Sequence, residues 1–355
     1  MGTQRQWAAL VAAAVALGCL SGCQRGGELD DGAEVAQVGV GTSGGDREVG
    51  PRGMVQRADT REDGVIDGDT IRVVGFDQSI RLLCIDTEES LEGAKLRAAE
   101  EDWEAYRAGK TEGATSPVSY GTFLGNEATE FAREFFAGVD EVYVEYQAPD
   151  RTRDYFGRHL GFVWIRDGEE GPWINYNVEA VRAGVTPYFT SYGWCDDHHE
   201  EFVAAQREAR EAGRGIWAEG ARAYDDYDVR MARWERRAQA IALFREHFED
   251  RPGAVKLGKD TTTSSLRGQM GQRVLVFGAL SRVVPRGDPP RLEFFHRYRE
   301  PLAVVLDEGV SVESLGDLEA GQYYYVEGVV EMFRGDPRVR LDQRGFLRAG
   351  DRPPR

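Results

Sequence analysis

Residues 63–72 read DGVIDGDTIR, and residues 80–89 read IRLLCIDTEE. Ile71 and Val73 alternate with polar neighbours, and Ile80 and Leu82 carry an apolar run, so both segments are typical of strands. The sequence between them is short and turn-like. We therefore expect a hairpin or a small barrel that brings the two segments together.

Two carboxylates, Asp69 and Asp86, fall near the ends of these strands. Carboxylates that converge in a partly buried site repel each other unless a cation lies between them. Oxygen ligands favour Ca²⁺ or Mg²⁺ over zinc. With Arg81 as a phosphate clamp and Glu89 as a base, the set predicts phosphodiester hydrolysis. The alternative is structural, because Asp-Gly pairs often only form turns.

Taken together and in this order, the segments resemble the staphylococcal nuclease (thermonuclease) family, whose pattern is Asp-Gly-Asp-Thr, Arg-Leu-Leu and Asp-Thr-Pro-Glu. Residues 150–158, DRTRDYFGR, resemble the arginine-bearing loop of that family. Residues 206–217, which end in AGRGIW, resemble its last helix. The four matches span residues 55–220, which we interpret as one thermonuclease-like domain.

The resemblance implies a mainly β fold with α-helices, an OB-type five-stranded barrel with three helices packed on it. Local patterns agree with this expectation. Residues 126–137 carry apolar side chains at helical spacing. Residues 142–146 and 160–164 alternate like strands, and Gly184 follows residues 174–183 in the C-cap position of a helix.

The resemblance also implies a Ca²⁺ cofactor and specific metal ligands. These would be the side chains of Asp69 and Asp86 and the backbone carbonyl of Thr87. Glu89 would accept a proton from the attacking water or orient it.

Arg81 and Arg158 would hold the scissile phosphate, a role that suits the planar, permanently charged guanidinium. Tyr188 and Tyr192 fall where tyrosines of the family flank the nucleotide, and stacking of this kind tolerates any base. The alternative for both tyrosines is local packing in a loop.

The chain departs from the family pattern directly after the second carboxylate. Glu88 stands where the family usually has proline, which predicts a less rigid turn and an extra negative charge beside the metal. An insertion at residues 90–119 follows, with a helical pattern over residues 91–110. The insertion, with its Trp103 and Tyr106, could cover the site, narrow it to single strands, or only decorate the barrel.

The N-terminus has the pattern of a bacterial lipoprotein signal in residues 1–23. An apolar run leads to LSGC at residues 20–23, which resembles a lipobox with Cys23 as the lipidated residue. The alternative is an ordinary secretory signal. Gln24 favours the outer membrane over the inner one, and residues 24–54 have the composition of a disordered tether.

Export places Cys84 and Cys195 in an oxidising compartment, where a disulfide between them is allowed. Unpaired thiols are the alternative, because the sequence does not fix disulfide geometry.

The remainder of the chain predicts a helical connector at residues 221–252 and a second domain at residues 253–350. Five strand-like segments with glycines at bends resemble another OB-type β-barrel, in pattern only. Barrels of this kind bind nucleic acids or proteins, but a fold does not give a function. The partners of this domain stay open.

The formal charge of −17 argues against a simple basic nucleic-acid-binding protein. The expected function is Ca²⁺-dependent hydrolysis of DNA and RNA with little sequence specificity, to 3′-phosphate products, by an exported lipoprotein of the cell envelope. The alternative is a catalytically weak lipoprotein that binds nucleic acid or protein through its two barrels.

Overall fold

A computed structural model describes residues 50–147, 152–154, 156–166, 171–259, 261–297 and 300–354. Cys23, the rest of the signal segment and residues 24–49 of the tether lie outside the described residues. The chain forms two compact units, one made of the residues up to Phe189 with Cys195–Asp226, the other of Thr190–Trp194 with the residues from Tyr227 onward. None of the described helices is long and apolar enough to cross a membrane.

The first unit is built on a closed five-stranded barrel. The strands of the unit are β1 (Met54–Asp67), β2 (Thr70–Val73), β3 (Ile80–Leu82), β4 (Glu89–Ser90), β5 (Gly121–Thr122), β6 (Glu141–Tyr146), β7 (His159–Arg166) and β8 (Trp173–Asn175). Antiparallel pairing runs from β3 through β2, β1 and β6 to β7, and a parallel pairing of β3 with β7 closes the barrel. This topology is consistent with the predicted OB-type fold.

The described part of this unit has five α-helices: α1 (Gly93–Glu101), α2 (Trp103–Thr111), α3 (Phe123–Phe136), α4 (Tyr176–Ala183) and α5 (His199–Glu211). Helix α3 contains the predicted apolar stripe, and its Ala128 and Ala132 are fully buried against the barrel. Gly184 ends α4 with a φ of 75°, as the sequence predicted. A Cβ atom at Gly184 would lie 2.3 Å from the backbone oxygen of Arg214, so a larger residue cannot fit there.

The insertion forms two helices where the sequence predicted one. Asp102 separates α1 from α2 and caps the second helix, because its side chain accepts a hydrogen bond from the Ala105 amide. The Trp103 ring centroid lies 5.7 Å from that of Phe123, and Tyr106 lies 6.4 Å from Tyr120. Both insertion rings therefore pack on neighbouring aromatic side chains of the same unit, which agrees with a decorating insertion.

A buried ion pair lies inside the first unit. His198 Nε2 is 3.0 Å from Glu145 Oε1, and both side chains are almost completely buried. The Trp164 indole donates a second hydrogen bond of 2.6 Å to Glu145. Burial alone would lower the pKa of His198, but the hydrogen bonds and charges of Glu145 and Glu201 raise it to about 9.

We expect the free energy of unfolding to fall as the pH rises from about 6.5 to 9. His198 binds its proton more tightly in the folded state, so its contribution is complete below the unfolded pKa of about 6.5 and is lost as the pH passes through 9. Urea unfolding across this range measures the slope. His198→Gln should flatten it, and His247→Gln, at a half-exposed histidine, should not. An unchanged slope in His198→Gln would show that other groups cause the pH dependence.

Cys84 and Cys195 lie with their Cα atoms 6.5 Å apart, and their sulfur atoms are bonded. The bridge joins the end of β3 to the loop before α5. We expect no free thiol when a version of the protein without residues 1–23 is unfolded without reduction and titrated. Two free thiols would contradict the bond, and the same sample after reduction supplies the positive control.

The second unit contains another closed five-stranded barrel. The strands of this unit are β9 (Ala254–Lys256), β10 (Arg273–Val284), β11 (Arg291–Arg297), β12 (Glu300–Leu306), β13 (Tyr323–Phe333), β14 (Asp336–Leu341) and β15 (Phe346–Ala349). Strands β10 to β14 close through the β13–β10 pairing, with β12 parallel to β14. The five predicted strands are all present.

Helices α6 (Tyr227–Phe248) and α7 (Thr262–Arg267) complete the second unit. The apolar face of α6 packs on its barrel, with the Phe244 ring centroid 4.7 Å from Phe277. Tyr325 is fully buried in the same cluster. The helix predicted as a connector is therefore part of the second unit.

Candidate active site

A polar cavity of about 220 Å³ opens in the first unit where the β1–β2 turn, β3 and the turn before β4 meet. Five acidic and two basic side chains contribute to its lining: Asp67, Asp69, Asp86, Glu88, Glu89, Arg81 and Arg158. The structure thus brings together the predicted metal ligands, both predicted arginines and the predicted base. The excess of carboxylates suits a site that receives a cation.

The β1–β2 turn fixes Asp69 at the cavity. The Asp69 amide donates a 3.1 Å hydrogen bond to Asp67 Oδ1, and the buried Tyr176 hydroxyl donates one of 2.7 Å to the Gly68 carbonyl. Gly68 is required by space, because a Cβ atom there would lie 2.7 Å from the Ala128 side chain in α3. The Asp-Gly-Asp motif is therefore a turn clamped by the core as well as a source of carboxylates.

Arg81 lies between the two predicted carboxylate ligands. Its guanidinium donates to Oδ1 of Asp69 and to Oδ1 of Asp86. The amide and hydroxyl of Thr87 donate to the other oxygen of Asp69, at 2.9 and 3.2 Å. Asp69 and Asp86 thus converge on one positive group, as the strand pattern predicted.

Burial makes this concentration of negative charge unfavourable. It raises the pKa of Asp86 to about 6, with Arg81 opposing the shift and Asp69 adding to it. Burial, and then the charge of Asp69, raise the pKa of Asp67 to about 6 as well. A divalent cation among these carboxylates would relieve their repulsion.

The donor set fits Ca²⁺, although a complete metal cage is not preformed. Among the described residues, no group of three or more His, Cys, Asp or Glu side chains is arranged to hold a metal ion. Asp69 and Asp86 supply the oxygen donors that calcium prefers, and a backbone carbonyl and water commonly complete such a site. Arg81 contacts one oxygen of each carboxylate, so a cation bound between Asp69 and Asp86 would share them with this guanidinium.

Arg158 reaches the cavity from the loop before β7. Its Nε donates a 2.7 Å hydrogen bond to Asp154 Oδ2, and Asp154 Oδ1 accepts from the backbone amides of Phe156 and Arg158. Asp154 therefore orients the second arginine, a role that the sequence analysis missed. An acidic residue four positions before the arginine of DRTRDYFGR was the available signal.

The two consecutive glutamates point to different surroundings. Glu89 is exposed at the cavity, in β4. Glu88 is only 3% exposed, and its carboxylate accepts hydrogen bonds from the Thr122 hydroxyl and the Tyr224 amide. The Glu88 side chain thus ties the turn to two other segments, which argues against the looser turn that the missing proline predicted.

The predicted nucleotide-flanking tyrosines are in separate units. Tyr188 is 5% exposed, its ring stacks on Phe202 with centroids 4.9 Å apart, and its hydroxyl lies 3.0 Å from His199 Nδ1. This is the position of a core ring, unavailable to a base. Tyr192 is exposed and belongs to the second unit, where it lies beside Arg237.

A comparison with protein families matches residues 79–219 to the family described as Staphylococcal nuclease homologue. The match includes Arg81, Asp86, Glu89 and Arg158, and Asp69 lies ten positions before its first residue. A comparison with curated proteins finds no match. The matched residues supply strands β3, β6 and β7 of the barrel and most of the residues that line the cavity. The chain therefore contains a domain of the staphylococcal nuclease family.

Proposed function

We propose that the first unit is a Ca²⁺-dependent phosphodiesterase that hydrolyses DNA and RNA to 3′-phosphate products. The observation that carries this proposal is the convergence of Asp69 and Asp86 on Arg81, in a cavity that also holds Glu89 and Arg158. Hydrolysis of a phosphodiester needs positive groups that hold the phosphate, a base that activates water, and a bound cation. The side chains that line this cavity can serve each of these needs.

Asp69, Asp86 and the Thr87 carbonyl would hold the calcium ion. The bound ion supplies Lewis-acid polarisation of the phosphate. Arg81 and Arg158 bind the phosphate oxygens and stabilise the negative charge that grows on them during attack. Glu89, which is exposed at the cavity, takes the proton of the attacking water.

The lining of the cavity also supports low sequence specificity. Its described residues are charged side chains, threonines and a serine, without an aromatic ring. Contacts with phosphate position a nucleic acid but carry no sequence information. We therefore expect DNA and RNA to be cleaved at many sequences.

A nuclease assay on the full chain tests this function. Single-stranded DNA, duplex DNA and RNA are incubated with Ca²⁺ or with a calcium chelator, and the product ends are identified by their sensitivity to a 3′-phosphatase. Hydrolysis that requires Ca²⁺ and leaves 3′-phosphates supports the proposal, with Asp69→Asn as the inactive control. Binding of nucleic acid without hydrolysis would instead support the alternative of a catalytically weak binding protein.

We also propose that the protein is an exported lipoprotein of the cell envelope, with Cys23 as its acylated first residue. The support is the LSGC segment at residues 20–23 after an apolar run. Mass spectrometry of membrane-extracted protein should find acyl mass on Cys23 and no preceding residue. A mature form that begins elsewhere would contradict this.

A further inference from the structure

The segment that follows the family match folds back onto the nuclease unit. We call residues 220–226 the tail segment. The Arg222 guanidinium carbon lies 3.3 Å from the Phe123 ring centroid, at the start of α3. Asp225 accepts a 2.9 Å hydrogen bond from Arg107 in the insertion. The tail segment therefore contacts the insertion and the start of α3. Both follow, in sequence, the turn at residues 86–89 that carries Asp86 and Glu89.

Tyr224 makes the central contacts of the tail segment. Its hydroxyl donates a 3.0 Å hydrogen bond to the Tyr120 carbonyl and accepts one of 3.2 Å from the Tyr120 amide. The two rings meet edge to face, with centroids 4.9 Å apart. The Tyr224 amide donates a 2.7 Å hydrogen bond to Glu88 Oε1. One residue outside the family match thus reaches the turn that carries the predicted ligand and base.

Glu88 connects this tail segment to α3. Its second carboxylate oxygen accepts from the Thr122 hydroxyl, which in turn accepts from the Gly125 amide as the N-cap of the helix. A buried carboxylate is costly unless its oxygens are hydrogen-bonded, and Glu88 is 3% exposed. The hydrogen bonds from Thr122 and Tyr224 therefore fix the Glu88 carboxylate, and through it they connect α3 with the tail segment.

The backbone of the turn is pressed against the start of α3. A Cβ atom at Gly125 would lie 2.1 Å from the Glu89 carbonyl oxygen, so only glycine allows this approach. The Ser90 hydroxyl bonds to the Gly125 carbonyl at 3.2 Å, and the Leu91 amide bonds to the Asn126 side chain at 2.7 Å. The start of α3 and the tail segment therefore both hold the turn, each with a hydrogen bond to the Glu88 carboxylate.

We propose that Glu88 is a positioning residue. The tail segment, which lies beyond the family match, would help to hold the site of the nuclease unit by anchoring Glu88. Glu88 separates Thr87, which bonds to Asp69, from Glu89, the proposed base. Anchoring Glu88 fixes the direction of both neighbours. This inference rests on the proposed nuclease function, because it assigns Glu88 a role in holding that site.

Glu88 also borders the cavity, so a direct role as a cation ligand is the rival interpretation. The two roles differ in what they require of the side chain. A carboxylate ligand contributes its negative charge to calcium binding, whereas a positioning residue needs only hydrogen-bonding atoms and a fixed length. Gln at position 88 keeps an acceptor for the Tyr224 amide and an amide group that can donate to Thr122, but it carries no charge.

The test compares four variants of the full chain in Ca²⁺-dependent hydrolysis. Glu88→Ala should lower kcat on the order of a hundredfold with little change in KM, because small displacements of catalytic groups have effects of this size. Glu88→Gln should restore kcat to within about tenfold of wild type, consistent with the modest energy of one hydrogen bond. Tyr224→Phe, which leaves Glu88 intact, should lower kcat several-fold. Glu92→Gln, an exposed glutamate nearby, is the matched control and should change nothing.

Amide hydrogen exchange of residues 87–91 supplies a second measurement that does not depend on activity. Glu88→Ala should accelerate exchange in this segment, and Glu88→Gln should do so less. Wild-type kcat in Glu88→Ala would overturn the proposal, and so would a Glu88→Gln variant as inactive as the alanine one. If the wild-type protein hydrolyses nothing, the nuclease function fails, and the exchange comparison alone decides whether Glu88 holds the turn.

Discussion

Replacing Glu89 with Gln is expected to lower kcat for phosphodiester hydrolysis by roughly a hundred- to ten-thousandfold, the range lost when a general base is removed. Glu89 is exposed at the cavity, in β4, so the amide should fit without repacking. It cannot accept the proton of the attacking water. Steady-state kinetics at saturating Ca²⁺ measures the effect.

Two further measurements separate loss of the base from other causes. The melting temperature of Glu89→Gln should equal that of wild type, and its calcium affinity should change little, since Glu89 is not a proposed ligand. Glu92→Gln, three residues further along and also exposed, controls for the loss of one negative charge. If Glu89→Gln hydrolyses nucleic acid at a rate close to wild type, the base is another group.

The parts of the fold that follow local patterns were predictable. Apolar patterns, alternating or continuous, located β2, β3, β6 and β7 of the first unit and the five barrel strands of the second unit. The convergence of Asp69 and Asp86 followed from placing the two carboxylates at the ends of paired strands. In these cases, residues close in sequence determine the geometry.

The contacts that the sequence did not reveal join distant segments. Glu88 and Tyr224 are 136 positions apart, and no local pattern indicates that a residue after the domain contacts a turn near its start. Tyr188 falls where tyrosines of the family flank the nucleotide, yet its stacking on Phe202 places it in the core. The break between α1 and α2 was missed for a local reason, since the helical pattern over residues 91–110 runs through Asp102, which caps the second helix.

Arg81→Ala is expected to reduce hydrolysis by at least about a hundredfold, because it removes a preorganised donor to the charge that develops on the phosphate. It should also destabilise the calcium-free protein by roughly 3 kcal/mol, the size of effect seen when one partner of a buried ion pair is lost. Arg81 has a largely buried side chain that neutralises Asp69 and Asp86 together. Without it, the two carboxylates face each other with no guanidinium between them.

Calcium should therefore stabilise Arg81→Ala more than it stabilises the wild-type protein. In the wild type, Arg81 already neutralises part of the charge of both carboxylates, so the cation gains less by binding them. In the variant, the same cation meets carboxylates that Arg81 no longer neutralises, and it relieves their repulsion.

Melting temperatures measured with Ca²⁺ and with chelator give the stabilisation by calcium of the variant and of the wild type. Arg133→Ala, which removes an exposed arginine paired with Glu130 at 3.4 Å, should leave the calcium response unchanged. An equal calcium gain in Arg81→Ala and wild type would show that the cation does not compete with Arg81 for these carboxylates.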